Sequence, residues 1–225
     1  MVYLSKISLE QTSQAARELV HLSSNGAYSA HQLLWKLFSD ERERPFLFRE
    51  EMQPCGRPLF FVLSEVRPQV IERLFSIQTK VFEPKLSAGQ RLAYKLRVNP
   101  TVCMTAENGK SKRHDVMMHA KYRAKREGED NPKKIQWMME QAAHEWIANA
   151  KRLEQWGISL DALPDIERYT QHRSKKRRGH SIEFSSVDFQ GVLTVQDAER
   201  YFSQYCKGFG RAKGLGCGLM LIRAV

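Results

Sequence analysis

Apolar and polar positions along the chain fall into an order of elements that occurs twice. Val2 to Leu9 is strand-like. Over Ala27 to Phe38, apolar residues recur at i, i+3, i+4 and i+7, the spacing of one helix face. Two β-rich runs follow, Phe46 to Met52 and Leu59 to Leu63, parted by the turn signal Pro54-Cys55-Gly56. Pro68 to Phe75 predicts a short helix with proline in its first turn, where a missing N–H costs little. Ile77 to Phe82 closes the unit as a strand. The order is βαββαβ.

Pro84 to Gly89 has the composition of a hinge, and the order then begins again. Leu92, Tyr94, Leu96 and Val98 alternate with Arg91, Ala93, Lys95 and Arg97, a one-sided strand. Pro132 to Trp156 predicts one long helix, and Ile166 to Arg173 and Ile182 to Val195 predict strands. Within the latter, apolar positions shift phase near Ser185-Ser186, the mark of a bulge. Asp197 caps a helix through Cys206, and Cys217 to Val225 is the last strand. Two such units predict an α+β chain of tandem ferredoxin-like (RRM-like) domains, 1–86 and 87–225. The second carries a basic insertion at 109–134, a basic hairpin and a glycine-rich loop. That topology also builds RNA-recognition modules, although fold alone does not assign function.

Charge sharpens this picture. The chain of 225 residues has a formal net charge of +11, and two segments hold all of it. Gly109 to Lys134 contains nine Lys/Arg against four Asp/Glu, and Arg168 to His180 contains six Lys/Arg and no acid. A neutral body with two concentrated basic segments fits a polyanion ligand. Neither segment has an apolar helical face beside it, so a membrane surface fits less well. The longest apolar run near an end, Gly214 to Ile222, is nine residues, and a membrane span needs about 20. With 42% hydrophobic residues the chain has the apolar mass for a core, and a soluble, cytoplasmic protein is expected. Cys55, Cys103, Cys206 and Cys217 lie far apart, without C-x-x-C pairs or His at ligand spacing, so no disulfide framework, metal site or cofactor is expected.

Three places could carry chemistry. On the first helix, His31 falls at the edge of the apolar arc, with Tyr28 one turn before it. A histidine there is either structural, tying down the core edge, or a general acid–base group that packing orients and substrate can reach. The second place is the run from Gly208 to Gly218, with glycines at 208, 210, 214, 216 and 218 and the cations Arg211 and Lys213. So many glycines let backbone N–H groups approach a phosphate. The run leaves a helix and enters a strand, which excludes a Walker loop and a dinucleotide fingerprint. Lys207-Gly-Phe-Gly210 echoes the strand motif of RNA-recognition modules but departs from it at Arg211. The third is Arg173-Ser-Lys175-Lys176-Arg177-Arg178, whose adjacent cations repel unless a polyanion neutralises them. No acidic cluster has two-metal spacing and no Ser–His–Asp order stands out, so a nuclease built from these residues would rely on the 2′-OH of RNA.

Several motifs agree in order with one family. They are the opening strand YLSKI (Tyr3 to Ile7), the helix Ala27-Tyr28-x-x-His31-x-x-Leu34-Trp35-x-Leu37-Phe38 and the phrase Leu96-Arg-Val-Asn-Pro100. The run Phe189-Gln-Gly-Val-Leu-Thr-Val195 and the ending Gly208-x-Gly210-x-Ala-Lys213-x-x-Gly216-Cys-Gly218-Leu complete the set. Across nearly its whole length the chain resembles the CasE-type CRISPR RNA-processing endoribonucleases. The resemblance implies tandem ferredoxin-like domains and metal-independent cleavage at the base of the CRISPR repeat hairpin, leaving a 2′,3′-cyclic or 3′ phosphate and a 5′-OH. It implies as partners the repeat RNA stem-loop, the mature crRNA and the other Cascade subunits, including the CasC-type backbone, with no small-molecule ligand. It places the family's histidine on His31 and its tyrosine on Tyr28. Its glycine-rich loop falls on Gly208 to Gly218 and its RNA-docking hairpin on about Arg173 to Arg178. The insertion at 109–134 has no family role assigned.

Overall fold

The structure is a computed structural model describing residues 1–105, 109, 111–175 and 181–225. Lys176, Arg177 and Arg178 of the basic hairpin, and the side chain of Lys175, lie outside the described residues. The chain divides into two compact units, Met1–Lys85 with Gln171–Phe184 and Tyr205–Met220, and Leu86–Thr170 with Ser185–Gln204 and Leu221–Val225.

In the first unit, β1 (Tyr3–Leu9), α1 (Ser13–Trp35), β2 (Phe46–Met52), β3 (Pro58–Ser64) and β4 (Phe75–Val81) build an antiparallel sheet in the order β2-β3-β1-β4. That is the strand order of a ferredoxin-like sheet. Its core joins Ile7, Phe48, Phe60 and Val62 of the strands to Leu33 and Leu34 at the end of α1 and to Leu37 and Phe38 of the 3-10 turn that follows it. The helix begins at Ser13, well before the expected Ala27. Thr12 caps it by accepting from Ala15 N–H at 3.1 Å, and Ala15, Leu19 and Leu22 face the core. Ser23-Ser-Asn-Gly26, a turn signal in the sequence, is instead a kink: Gly26 (φ 54°, ψ −133°) redirects the helix without ending it.

The helix expected over Pro68–Phe75 does not form. Gln69 N–H bonds Leu37 C=O at 2.9 Å, and Arg73 takes φ 63°. Leu74 and Phe75 N–H both share the Ile71 carbonyl at 3.3 Å. Thr12 Oγ1 donates to Arg73 C=O at 2.6 Å. The polar groups of this segment are satisfied by distant backbone and one turn, so nothing demands a helical ladder.

The second unit runs β5 (Arg91–Val98), β6 (Thr101–Thr105), β7 (Ser111–Asp115), α2 (Val116–Arg126), α3 (Pro132–Ile147), α4 (Ala150–Trp156), β8 (Ile158–Leu160), β9 (Asp165–Lys175), β10 (Ser181–Val195), α5 (Ala198–Lys207) and β11 (Met220–Ala224), with β9, β10, α5 and β11 reaching into segments of the first unit. The sheet order β11-β5-β10-β8 repeats the ferredoxin-like order. Its second strand is the short β8, not Ile166–Arg173; that segment is β9, which pairs with β10 off the main path. The long helix also divides. Asn149 interrupts it by capping α4, accepting from Arg152 N–H at 3.1 Å, and Gly157 (φ 71°) ends it. Pairing of β10 with β5 starts at Val187, just after the expected bulge, where Asn99 Nδ2 donates to Ser185 C=O at 2.7 Å. The basic insertion contains β7, α2 and the start of α3.

The glycine-rich loop and the strand ends flanking the basic hairpin, placed by sequence order in the 87–225 domain, pack in the first unit. The physical reason is local. Gly208 lies against Leu47, Gly216 against Phe48, and Phe82 stacks on Tyr205 at 5.3 Å. Ser174 Oγ donates to Asn25 C=O at 2.9 Å.

Candidate active site

The kink at Gly26 starts the helical segment that carries Tyr28 and His31. His31 packs at ring-centroid distances of 5.8 Å from Trp35 and 6.1 Å from Phe46, so both rings fix the plane of its imidazole. Its Nδ1 is buried with no hydrogen-bond partner among the described residues. Burial first, and the positive charge of Arg44 second, hold its pKa below the ordinary 6.5. The imidazole is therefore neutral at pH 7 and free to accept a proton.

Arg44 precedes Pro45, which favours extended backbone there, and so stands at the entry to β2. Its Nη1 is buried without a partner among the described residues, and desolvation pulls its pKa down. The glycine-rich loop closes on this pair. A Cβ placed on Gly214 would sit 3.2 Å from Arg44 Nη1 and 3.9 Å from His31 Cε1. Beside it Lys213 Nζ donates to Lys207 C=O at 2.6 Å; burial and then the charges of Arg44 and Lys207 lower its pKa. A cavity of about 170 Å³ is lined by Arg44, Lys207, Cys206 and Glu65. Arg44, with Lys213 next to it, thus puts positive charge beside His31, an arrangement suited to an anionic substrate whose proton must be removed.

The other sequence candidates divide. Tyr28 is half-buried one turn before His31, and its hydroxyl accepts from Gln32 Nε2 at 3.4 Å. Gly208, Gly216 and Gly218 are buried and serve the chain's own packing: a Cβ on Gly208 would meet Leu47 Cδ1 at 2.7 Å, and one on Gly218 the Phe209 carbonyl at 2.8 Å. Gly210 is half-buried and Arg211 exposed. Arg173 is exposed on β9 and pairs with Glu183 at 3.2 Å, and Lys175 ends that strand. The structure brings His31, Lys213 and Gly214 together. Sequence reasoning missed Arg44, whose only signal is a mixed-charge approach to a strand, Arg42-Glu43-Arg44-Pro45. Among the described residues, no three His, Cys, Asp or Glu side chains gather as metal ligands. The four cysteines are free, and no described helix is long and apolar enough to cross a membrane.

Comparison with known proteins covers nearly the whole chain. The CRISPR system Cascade subunit CasE of Escherichia coli (strain K12) is 29% identical over 200 residues, covering 88% of this chain and 92% of that protein. The CRISPR-associated endoribonuclease Cse3 of Thermus thermophilus is 27% identical over 241 residues, covering 98% of this chain and 99% of that protein. The structure superposes on a CRISPR endoribonuclease Cse3 bound to 19 nt RNA with a TM-score of 0.70, at 25% identity over 98% of each chain. It superposes on Thermus thermophilus Cse3 bound to an RNA representing a pre-cleavage complex with a TM-score of 0.69, at 27% identity over 99% of this chain and 98% of that one. The sequence profile described as CRISPR associated protein matches residues 2–224. With both ferredoxin-like sheets in place and the match spanning nearly every residue, the chain belongs to the family of CRISPR associated proteins.

Proposed function

We propose that this protein is an endoribonuclease that binds the CRISPR repeat hairpin, cleaves pre-crRNA at its base without a metal, and stays on the crRNA as a Cascade subunit. The relatives named as a Cascade subunit and as a CRISPR-associated endoribonuclease, and the neighbours solved with RNA, support this reading. The observation that carries it is His31 packed beside Arg44 and the backbone of Gly214, where burial and the Arg44 charge favour the neutral imidazole.

His31 acts as base. It takes the proton of the 2′-OH, and the 2′-oxygen attacks phosphorus. The P–O5′ bond breaks, and the 5′-oxygen takes a proton from water and leaves as a 5′-OH opposite a 2′,3′-cyclic phosphate. Tyr28 positions the nucleophile or a phosphate oxygen. Lys213 and the N–H groups around Gly210, Arg211 and Gly214 hold charge that builds on the phosphorane. Gly208, Gly216 and Gly218 contribute by setting the path of that loop. Arg173, Lys175, Lys176, Arg177 and Arg178 hold the stem, as a charged ribbon tip holds an RNA duplex through its phosphates.

The test is His31→Ala with a repeat RNA. General acid–base catalysis contributes roughly 10²–10⁴-fold, so single-turnover cleavage should fall by that factor while hairpin affinity is kept. Cleavage at the normal rate would remove His31 from the mechanism, and binding without cleavage by the unaltered protein would leave a hairpin-binding protein.

A further inference from the structure

We infer that Arg44 belongs to the cleavage site, where its Nη1 holds a non-bridging oxygen of the phosphodiester enclosed by His31 and the glycine-rich loop. The inference rests on the endoribonuclease reading and adds to it a substrate-binding group outside both the first helix and the loop. Three observations carry it. Arg44 Nη1 is buried and unpartnered among the described residues, although a guanidinium removed from water ordinarily finds an acceptor. The atom faces the one loop residue without a side chain at this point, since a Cβ on Gly214 would lie 3.2 Å from it. That same Cβ would lie 3.9 Å from His31 Cε1, so the guanidinium and the imidazole border the same bare stretch of loop backbone. A planar guanidinium fork suits a phosphodiester better than an ammonium does.

The same charge has a second effect. Arg44 disfavours a proton on His31, keeping it a base until substrate arrives. The charged and titratable groups around His31 are Arg44 at the entry to β2, Lys213 and Lys207 beside Arg44, and Tyr28 one turn back on the helix. Glu65 lines the adjoining cavity. A bound phosphodiester offsets the Arg44 charge and raises the basicity of His31 at the moment it is needed.

The experiment uses full-length protein and variants Arg44→Gln, Arg44→Lys and Gly214→Ala. Single-turnover cleavage is measured on repeat RNA, affinity on the same RNA with a 2′-deoxy at the cut site, and the His31 ring is titrated by NMR. Arg44→Gln should cut cleavage about 10²-fold, the scale of losing one preorganised donor, with deoxy-RNA affinity changed only a few-fold. Its His31 midpoint should move up. Arg44→Lys should restore the midpoint but only part of the rate, and Gly214→Ala, which crowds Nη1 without removing its charge, should slow cleavage. A structural role alone would lower thermal stability and leave the midpoint of His31 in place. Full cleavage by Arg44→Gln and Arg44→Lys, alongside an inactive His31→Ala, would overturn this inference and spare the parent reading. Binding without cleavage by the unaltered protein would overturn the parent reading itself.

Discussion

His31 is where residue identity and environment meet most sharply. Its place at the edge of the apolar arc was legible from helical spacing, but spacing does not separate a structural histidine from a base. The proposed role as base rests on its environment: Trp35 and Phe46 fix the ring, and burial with the Arg44 charge lowers its pKa. A group whose folded pKa lies below its unfolded value binds fewer protons when folded, so its contribution to stability is lost as pH falls below 6.5 and is constant above it. Cleavage should follow the same proton. The second-order rate, kcat/KM, which reports the free protein, should rise with pH through a midpoint below 6.5, whereas a rate falling across that range would make His31⁺ an acid in the rate-limiting step. The loop residues give a contrasting prediction. Gly208→Ala adds strain at φ +75° and a 2.7 Å approach to Leu47, and should destabilise the protein by about 1–3 kcal/mol, read as a lower chemical-denaturation midpoint.

Elements were legible where one local signal decided them. The strands β1, β2, β3 and β5 show alternation or β-rich runs, and their pairing is long and regular. Sequence reasoning failed where a tertiary partner outvoted the local signal. Ser-Ser-Asn-Gly26 punctuates a chain in isolation, yet packing of Ala15 and Leu22 keeps the preceding turn helical. Pro68–Phe75 has helical spacing but gives its N–H groups to Leu37 and Ile71. The site inherits its aim from the first of these. Gly26 takes a backbone conformation open almost only to glycine, and it directs the segment holding Tyr28 and His31. Gly26→Ala should therefore cost about 1–3 kcal/mol in stability and slow cleavage more than it weakens RNA binding, both measured on one preparation. An unchanged cleavage rate would show that the kink does not aim the site.

At the scale of the molecule, the tandem sheets were legible because hydrophobic period repeats at two levels, and both carry the same strand order although the first unit lacks its expected second helix. What sequence order could not show is that the described residues of 171–175, 181–184 and 205–220 group with the first unit. Non-local packing such as Gly208 on Leu47 leaves no periodic trace, and Arg44 reaches the site in the same way. Charge is the other whole-molecule property. The segment 168–180 carries six cations and no acid, and removing one cation that neutralises a phosphate lowers the salt slope of duplex binding by about 0.9. Replacing Lys175, Lys176, Arg177 and Arg178 with alanine should weaken hairpin binding and flatten its dependence on log salt, with the cleavage rate at saturating protein nearly kept.

The proposed chemistry is cleavage that uses the 2′-OH of the RNA itself and no metal. The decisive measurement incubates the protein in excess EDTA with repeat RNA, beside a matched RNA carrying one 2′-deoxy at the cut site. Cleavage of the first RNA, ending in a cyclic or 3′ phosphate, is expected, together with binding but no cleavage of the second. Cleavage of both RNAs, or loss of cleavage on chelation, would contradict this chemistry.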